Sequence, residues 1–416
     1  MSLNPAPCSA IPERAAGAIP SRHGADLQRS RRAAAPLLWL IRPRRLAQPD
    51  EHHWQQLGHW LNAGDPLADE VVRFIRDNGH REGWRLLEQG LQNGAQAVSD
   101  YPALHAFLAH CEHEPEWLDR AALQRGIEVS ARSGKTGMRV LRDFGLMAGY
   151  QASAINQTLI KTGALEKGAQ RRVAETTKWW MDCTSAGGLN PGGEGFRTTL
   201  RVRVIHAMVR AVLSERPDWN GAYLGLPVNQ LDMQVTYLAF SVMFLLGQRF
   251  LGVPVSAQEG TDVMHLWRYI GWLMGVDEQL LCTTEQDGRI ALYRNLLSQP
   301  MADDTSKQLA QALMDEPLQR YYPHAQWLRS HWDRQVHLSI IRLFIGRHGM
   351  RELGLPTGVL PWYPLVFAPG NAAVQTLIRL LPGGKAWLTR RGRAAQQSML
   401  TILFGEHTPD IIRVNG

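Results

Sequence analysis

The chain has 416 residues, of which 44% are hydrophobic and 20% are charged, and its formal net charge is +7 at pH 7. This balance is typical of a globular protein with a substantial core. The four cysteines are widely separated and form no Cys-x-x-Cys or Cys-x-x-Cys-His, so zinc fingers and covalent c-type haem attachment are both unsupported. We predict no disulfides, as is usual in a reducing compartment.

Residues 1–50 hold eight arginines against three acidic residues, a net charge of +5, together with seven prolines. This composition predicts a flexible basic arm. Within it, RSRRAAAPLLWLIRPRRL is similar to a twin-arginine export signal, but its apolar run is short, contains Pro36 and is followed by RPRR instead of a small-residue cleavage site. We therefore expect a cytoplasmic protein.

Two arginine clusters around LLWLI in this arm could instead contact an anionic membrane surface peripherally, and this alternative stays open beside a solvated arm. Nucleic-acid binding is not expected, because the rest of the chain shows no basic stripe with interleaved aromatic residues.

From about Glu51 to the C-terminus the apolar spacing is helical and β-type alternation is scarce, so residues 51–416 are predicted to form one large all-α domain. Asn229 is predicted to cap the most hydrophobic helix, 230–251. A proline-rich turn and a last helical pair are expected near the C-terminus. The other predicted helices span residues 65–78, 81–89, 103–110, 115–128, 139–148, 152–161, 261–276, 303–314 and 325–346.

Residues 171–210 form the most informative stretch, two predicted helices joined by the glycine-rich loop AGGLNPGGEG. In the second helix His206 lies on an apolar face, with Arg203 one turn before it and Arg210 one turn after it. A lone histidine on such a face is usually a hydrogen-bonded core residue. Two neighbouring guanidiniums favour instead a large, partly buried, dianionic ligand, because an unpaired buried charge is costly. Haem is such a ligand, with an imidazole on its iron and arginines at its propionates.

In the helix before the loop, Arg172, Glu175 and Thr176 share a face, and the short loop should bring them opposite the imidazole of His206. The alternative is an exposed Arg–Glu pair three residues apart. Thr236 is the polar residue of interest in the long apolar helix; its alternative role is a hydroxyl bonded to the carbonyl one turn back.

Six segments resemble, in the family's order, the catalytic domain shared by latex clearing protein (the bacterial rubber oxygenase) and the MpaB-type oxygenases. They span about residues 115–276 and comprise EPEWLD at 114–119, GYQASAINQTLIKTGAL at 149–165, RRVAET at 171–176, RVRVIHAMVR at 201–210, GLPVNQLDMQVTYLAFS at 225–241 and LWRYIGWLMGV at 266–276.

The resemblance implies a globin-like helical core that holds haem b, with His206 as the proximal iron ligand and with Arg203, Arg210 and Thr236 around the cofactor. It also implies an oxygenase that uses molecular oxygen on apolar, often isoprenoid or lipid-like, substrates. Arg172, Glu175, Thr176 and Asn156 would then lie on the side of oxygen and substrate.

Two positions depart from the rubber-cleaving members. Those proteins have a lysine where this chain has Glu175, and a glutamate, thought to act as a base, about where Asn156 or Gln157 falls. We therefore expect a smaller apolar substrate than polyisoprene. Two alternatives remain open: a non-catalytic haem- or lipid-binding protein that keeps the fold, and a helical scaffold with no cofactor.

Overall fold

The computed structural model describes residues 17–163, 165 and 168–405, and throughout these residues every regular element is helical. The all-α prediction is therefore confirmed. The α-helices are α1 (Leu27–Ala34), α2 (Glu51–Trp60), α3 (Pro66–Asp77), α4 (His80–Asn93), α5 (Pro102–Glu112), α6 (Arg120–Arg132), α7 (Gly134–Val140), α8 (Met147–Gly149), α9 (Ser153–Lys161), α10 (Ala169–Cys183), α11 (Glu194–Ser214), α12 (Gly221–Leu224), α13 (Gln230–Leu238), α14 (Phe244–Phe250), α15 (Ala257–Leu273), α16 (Glu285–Ser298), α17 (Asp304–Gln319), α18 (Gln326–Glu352), α19 (Trp362–Leu380) and α20 (Gly384–Phe404). Short 3₁₀ segments cover Ala35–Leu40, Arg44–Ala47, Ala95–Val98 and Glu278–Leu280.

The helices begin where polar side chains cap their first free amides. Asn229 accepts from the amide of Asp232, as predicted, and a capping box of Ser256 and Glu259 starts α15. The helix predicted from Pro115 begins later, at Arg120, because Asp119 accepts the first free amides and Pro115 lies in the preceding loop.

Two long helices contain a π-helical turn that the apolar spacing does not reveal. Leu141–Leu146 separates α7 from α8, and Ala239–Met243 separates α13 from α14. The two turns pack against each other. A π turn inserts one extra residue per turn and re-aims the side chains around it, and such turns occur frequently at functional sites.

The glycine-rich loop brings α10 and α11 into contact, as predicted. A Cβ atom on Gly195 would lie 2.7 Å from the Cα atom of Cys183, so the two backbones approach closely only because this residue is glycine. The indole Nε1 of Trp179 donates to Thr199 Oγ1 at 2.9 Å across the same contact.

Residues 17–50 pack against the helical domain and do not form the predicted flexible basic arm. Ile41 and Ala47 are buried against α16, and the guanidinium of Arg22 is buried on Asp232 at 2.7 Å. The short apolar runs between the arginines find a surface on α16, and an average over composition cannot detect that. Residues 1–16, with Cys8, lie outside the described residues.

At the other end of the chain, the proline-rich run predicted as a turn contains the start of α19. Pro364 is tolerated there because the amides of a helix's first turn have no partner within the helix. Within the described residues, no helix combines the length and apolarity that a bilayer span needs.

Candidate functional site

A cavity of about 1020 Å³ lies between the central helices and α18. Its volume is at the upper end of the roughly 300–1000 Å³ usual for ligand pockets. Six predicted site residues line it, namely Asn156, Arg172, Glu175, Thr176, His206 and Thr236. The structure thus gathers residues from α9, α10, α11 and α13 around one space, whereas the remaining two predicted residues, Arg203 and Arg210, are not among its lining residues.

One side of the cavity, here called the aromatic wall, is formed by Trp179, Phe240 and Trp267. Phe240 stacks on Trp267 with 4.8 Å between the ring centroids, and Trp179 meets both rings edge-on at 5.4 and 5.9 Å. Phe240 belongs to the second π turn, which aims its ring at this cluster. The wall offers a broad apolar surface to a flat ligand.

His206 lines the cavity from α11 and is chemically unsatisfied. Its Nδ1 atom is buried and has no hydrogen-bond partner. Burial, with a smaller contribution from the charge of Arg210, lowers the pKa of the imidazole to about 4. The ring is therefore neutral at physiological pH, which is the form that ligates a metal. The carbonyl tie expected for the second nitrogen of an iron-binding histidine is not observed at Nδ1.

Arg203 and Arg210 anchor α11 to α3 instead of pointing at the cavity. The guanidinium of Arg203 makes a two-bond contact with Asp65 at 2.6 and 2.9 Å, and that of Arg210 donates to Asp69 at 2.7 and 3.0 Å. With both guanidiniums already paired, the expectation that they meet propionates is not supported. Their role is to fix the helix that carries His206.

Glycine makes room for the Arg203 contact. Gly275 has φ +84°, and a Cβ atom there would lie 2.2 Å from Asp65 Oδ2 and 2.6 Å from Arg203 Nε. Only glycine combines that backbone conformation with the close approach. The fit indicates that the buried pair is a built feature of the fold.

On α10 the pairing differs from the predicted one. Glu175 accepts from Arg171 at 2.7 Å, so the surface partner is four residues before it and not Arg172. Arg172 instead contacts the hydroxyl of the buried Tyr150. Because no carboxylate of residues 17–163, 165 and 168–405 forms an ion pair with Arg172, its charge on the cavity wall remains available to an anionic ligand group.

The two polar residues contributed by α9 and α13 have local roles. Asn156 is fully buried and its Nδ2 donates to Tyr150 O at 2.8 Å and to Ser306 Oγ at 3.0 Å, while its Oδ1 has no partner. Thr236 Oγ1 donates to the carbonyl of Asp232 at 2.8 Å, so the alternative of a bond one turn back is the one observed.

A second side of the cavity, the ionic wall, was not predicted. It consists of Arg142, Arg320, Asp333 and His337. Arg142 and Arg320 are both held by the fully buried Glu316 at 2.7 to 2.9 Å, and Arg320 also reaches Asp333 at 3.3 Å. Buried charges survive here because each has a partner.

Within the ionic wall, His337 forms a pair with Asp143 of the first π turn. Nδ1 lies 2.7 Å from Asp143 Oδ2, and Nε2 is buried without a partner. Burial lowers the pKa of His337 well below its usual value, and burial raises the pKa of Asp143 to about 7 although Arg142 opposes the rise. With Asp143 ionised, the carboxylate accepts from Nδ1–H and leaves a lone pair on Nε2.

The sequence carries no signal that could have found this pair. Asp143 and His337 are 194 positions apart and belong to no common motif. Asp143 also reaches the cavity region through a π turn, whose register departs from the 3.6-residue spacing on which helix-face arguments depend.

Comparison with known proteins places the chain in a family of oxygenases. Residues 138–377 match the model of the family described as ER-bound oxygenase mpaB/B′/Rubber oxygenase, catalytic domain. The match extends beyond residue 276, where the recognisable motifs end, and it includes both His206 and His337.

Two individual proteins are similar. Rubber oxygenase from Streptomyces sp. (strain K30) is 27% identical over 226 residues, which are 53% of this chain and 55% of that protein. The chain therefore spans about half the length of that relative. The solved structure of latex clearing protein LCP in the closed state superposes with a TM-score of 0.60 at 21% identity, covering 84% of this chain and 93% of the other. At that identity, the likeness speaks for the fold alone.

Proposed function

The chain belongs to the mpaB/B′ and rubber oxygenase catalytic-domain family, and on that premise we propose that it is a haem-b-dependent oxygenase acting on an apolar, isoprenoid- or lipid-like substrate. The observation that carries the proposal is His206, a neutral imidazole with an unpartnered Nδ1 on the wall of a cavity of about 1020 Å³. When bound, haem b would supply the oxygen chemistry, and the protein would position the substrate and exclude water.

The residues present fit such a cofactor. His206 offers the iron ligand, and the aromatic wall offers the apolar surface on which a porphyrin ring packs. Since Arg203 and Arg210 are engaged by Asp65 and Asp69, Arg172 is the arginine that we assign to an anionic group of the ligand.

The ionic wall supplies a candidate base for the reaction. Asn156 stands about where the rubber-cleaving relatives have a glutamate, and an amide does not accept a proton at neutral pH. In its place we assign His337 Nε2 as the proton acceptor. Asp143 holds the proton on Nδ1 and stabilises the imidazolium that forms when Nε2 is protonated. Thr176 lines the same space and offers a hydroxyl hydrogen bond to substrate or oxygen.

The first experiment is the absorption spectrum of the purified protein. A Soret band, and haem released by acid–acetone, are expected, because no cysteine motif for covalent attachment exists. Oxygen consumption with terpenoid and lipid alkenes then tests the reaction. A preparation from iron-replete cells that is colourless and takes up no added haem would contradict the cofactor. Bound haem without turnover on any alkene, aldehyde or peroxide would favour the non-catalytic alternative.

The substrate class is tested separately with polyisoprene latex. Glu175 and Asn156 both differ from the rubber-cleaving pattern, so release of oligo-isoprenoid aldehydes from latex should be poor compared with turnover of a small terpenoid. Efficient oxygen-dependent latex cleavage would overturn this assignment of substrate while leaving the cofactor assignment intact.

A further inference from the structure

The outer face of α19 is apolar along its whole length although nothing in the described chain covers it. Leu365, Leu377 and Leu380 are 66%, 64% and 78% exposed, and Pro364 is the helix's only buried residue. Val366, Phe367, Val374 and the following Leu381 extend the same face. Isolated exposed leucines need no explanation, but a contiguous apolar face of this size marks an interaction surface.

The face is held firmly in place from behind. Asn371 donates to the carbonyl of Leu251 at 3.0 Å, and Arg379 donates to Glu259 at 2.7 Å. Glu259 also binds Arg132 of α6 at 2.8 Å, so the end of α19 is tied to the body of the protein. The exposed side chains are therefore presented by a docked helix and not by a loose tail.

The helices that pack against α19, namely α18 and α20, are rich in basic residues, although Arg334 on α18 pairs with Asp315 and Lys385 on α20 pairs with Glu259. Residues 325–405 contain ten basic residues against Asp333 and Glu352, a net charge of +8 that exceeds the +7 of the whole chain. Arg390 and Arg391 lie on α20, and Arg391 stacks over the half-exposed ring of Trp387. Tryptophan beside cationic side chains is the composition that proteins place at the boundary between lipid headgroups and acyl chains.

The face adjoins the cavity through α18. Trp332 is 51% exposed, lies 5.3 Å from Trp362 at the start of α19, and also lines the cavity. Trp327 and Leu328, one turn before it, are exposed as well. An apolar molecule that reaches this surface therefore meets a residue of the cavity wall.

From these observations we propose that the α19 face, defined by Leu365, Val366, Phe367, Val374, Leu377, Leu380 and Leu381, binds the surface of a bilayer containing anionic lipids, with Trp332 at the point where lipid and cavity meet. A second copy of the chain is disfavoured as occupant, because self-association would bring two strongly positive surfaces together. None of the described helices can cross a bilayer, so the contact is interfacial.

Sedimentation of the full chain with vesicles tests the proposal, and it needs neither bound haem nor turnover, so its outcome is independent of the proposed oxygenase activity. Binding to phosphatidylcholine vesicles containing phosphatidylserine should be strong, and binding to phosphatidylcholine alone much weaker. Raising the salt concentration should weaken binding to the vesicles that contain phosphatidylserine, because salt screens the attraction between basic residues and anionic lipids. That attraction contributes about a fivefold change in affinity for each nearby basic residue.

Matched variants separate the contribution of the apolar side chains from that of the basic residues. Leu365→Gln, Leu377→Gln and Leu380→Gln combined should lower vesicle affinity by about tenfold or more, because they remove the inserted apolar area. Val212→Gln, an exposed change of the same kind on α11, should leave it unchanged. Arg390→Gln with Arg391→Gln should weaken binding to anionic vesicles only.

Wild-type protein that stays in solution with anionic vesicles would overturn the proposal, as would a triple-glutamine variant that binds like the wild type. Light scattering after size-exclusion chromatography measures the oligomeric state and so tests whether a second copy of the chain binds the α19 face. A wild-type dimer that the triple variant converts to a monomer would show that the face joins two copies of this chain.

Discussion

Two neutral histidines, the half-buried His206 and the buried His337, line the cavity, and the two rings are held in different ways. His206 has an unpartnered Nδ1 and is positioned by its helix, which Arg203 anchors to α3. His337 is positioned by its own hydrogen bond to Asp143, and its free atom is Nε2. The ring of His206 is thus positioned by its anchored helix, and the ring of His337 by the carboxylate of Asp143.

This difference separates two kinds of chemistry. An imidazole whose Nδ1 proton is held by a carboxylate presents the lone pair of Nε2 in a fixed direction, so it can take a proton as the reaction proceeds although burial lowers its pKa. Carboxylate–histidine pairs also occur at metal sites, so His337 competes with His206 for the role of iron ligand. We assign the iron to His206, because its Nδ1 on the cavity wall has no partner, whereas Asp143 holds Nδ1 of His337 and the charges of Arg142 and Arg320 lie near that ring.

The largest expected effect therefore comes from His206→Ala, which should abolish the Soret band. A native-only ligand at about a thousand times its Kd stabilises a fold by roughly 4 kcal/mol, so the thermal stability of the loaded protein should fall as well. His337→Gln, in which the amide can still donate to Asp143, should keep full haem occupancy and lose turnover.

The opposite result would make His337 the iron ligand and leave His206 as the candidate proton acceptor. If His337→Gln loses the Soret band while His206→Ala keeps it with an unchanged spectrum, the iron lies on the ionic wall. His265→Ala is a suitable control, because that ring accepts from the amide of Asp119 and does not line the cavity.

The next largest effect should come from Arg203→Met, which leaves the carboxylate of Asp65 buried without its partner. Breaking a buried ion pair costs about 3–5 kcal/mol. Urea denaturation of the cofactor-free protein should show this loss. Arg171→Met, which breaks the exposed pair with Glu175, should cost about 0.5 kcal/mol or less. If Arg203→Met lowers haem affinity without lowering stability, Arg203 binds a haem propionate and does not mainly stabilise the fold.

The contrast between the predicted residues and the ionic wall also shows which parts of the fold and of the site the sequence predicts. Helical periodicity, the glycine-rich loop and the family motifs predicted the all-α fold, and they named six residues that do line one cavity. The two arginines beside His206 were read as ligand residues, because spacing along one helix cannot show what another helix supplies. Asp65 and Asp69 on α3 satisfy both charges.

The ionic wall could not be predicted at all, for a physical reason. Its members come from distant parts of the chain and meet only after α18 packs against both α17 and the first π turn. Charged residues in an amphipathic pattern normally face solvent. Glu316 and Arg320 are buried only because they and Arg142 pair with one another.

Asp143 gives its pair with His337 a dependence on pH. Burial raises the pKa of this carboxyl to about 7, against the opposing charges of Arg142, Arg139 and Arg320. The folded protein then binds a proton that the unfolded chain releases near pH 4, so this group's contribution to the free energy of unfolding is full below about pH 4 and is lost as the pH rises through 7.

Relative to Asp143→Asn, the wild-type stability should fall over that window by on the order of 1.4 kcal/mol for each unit by which the pKa is raised. Parallel curves for the two proteins over this window would mean that burial does not raise the pKa of Asp143. The same substitution should reduce turnover by about a hundredfold, since it removes the partner of the proton acceptor.

The smallest structural change, Glu175→Lys, should have the clearest spectroscopic effect. In the rubber-cleaving relatives a lysine stands at this position, whereas here a carboxylate paired with Arg171 faces the cavity. Lys178 is the nearest other amine on α10; it is bound to Asp182 at 2.5 Å and is not among the residues that line the cavity. We therefore expect a resting ferric haem that is five-coordinate or bound to water.

Electron paramagnetic resonance of the resting protein distinguishes the two cases. The wild type should give a high-spin signal and take up cyanide or imidazole readily, because no protein side chain then fills the sixth position. Glu175→Lys should shift the signal towards a low-spin, nitrogen-ligated form, while Glu175→Gln should not, since an amide replaces the charge without supplying an amine. The cost in stability should stay near 0.5 kcal/mol or below, because the lost pair with Arg171 is a surface one. A low-spin histidine–amine signal already present in the wild type, and abolished by Lys178→Ala, would show that Lys178 leaves Asp182 to cap the iron.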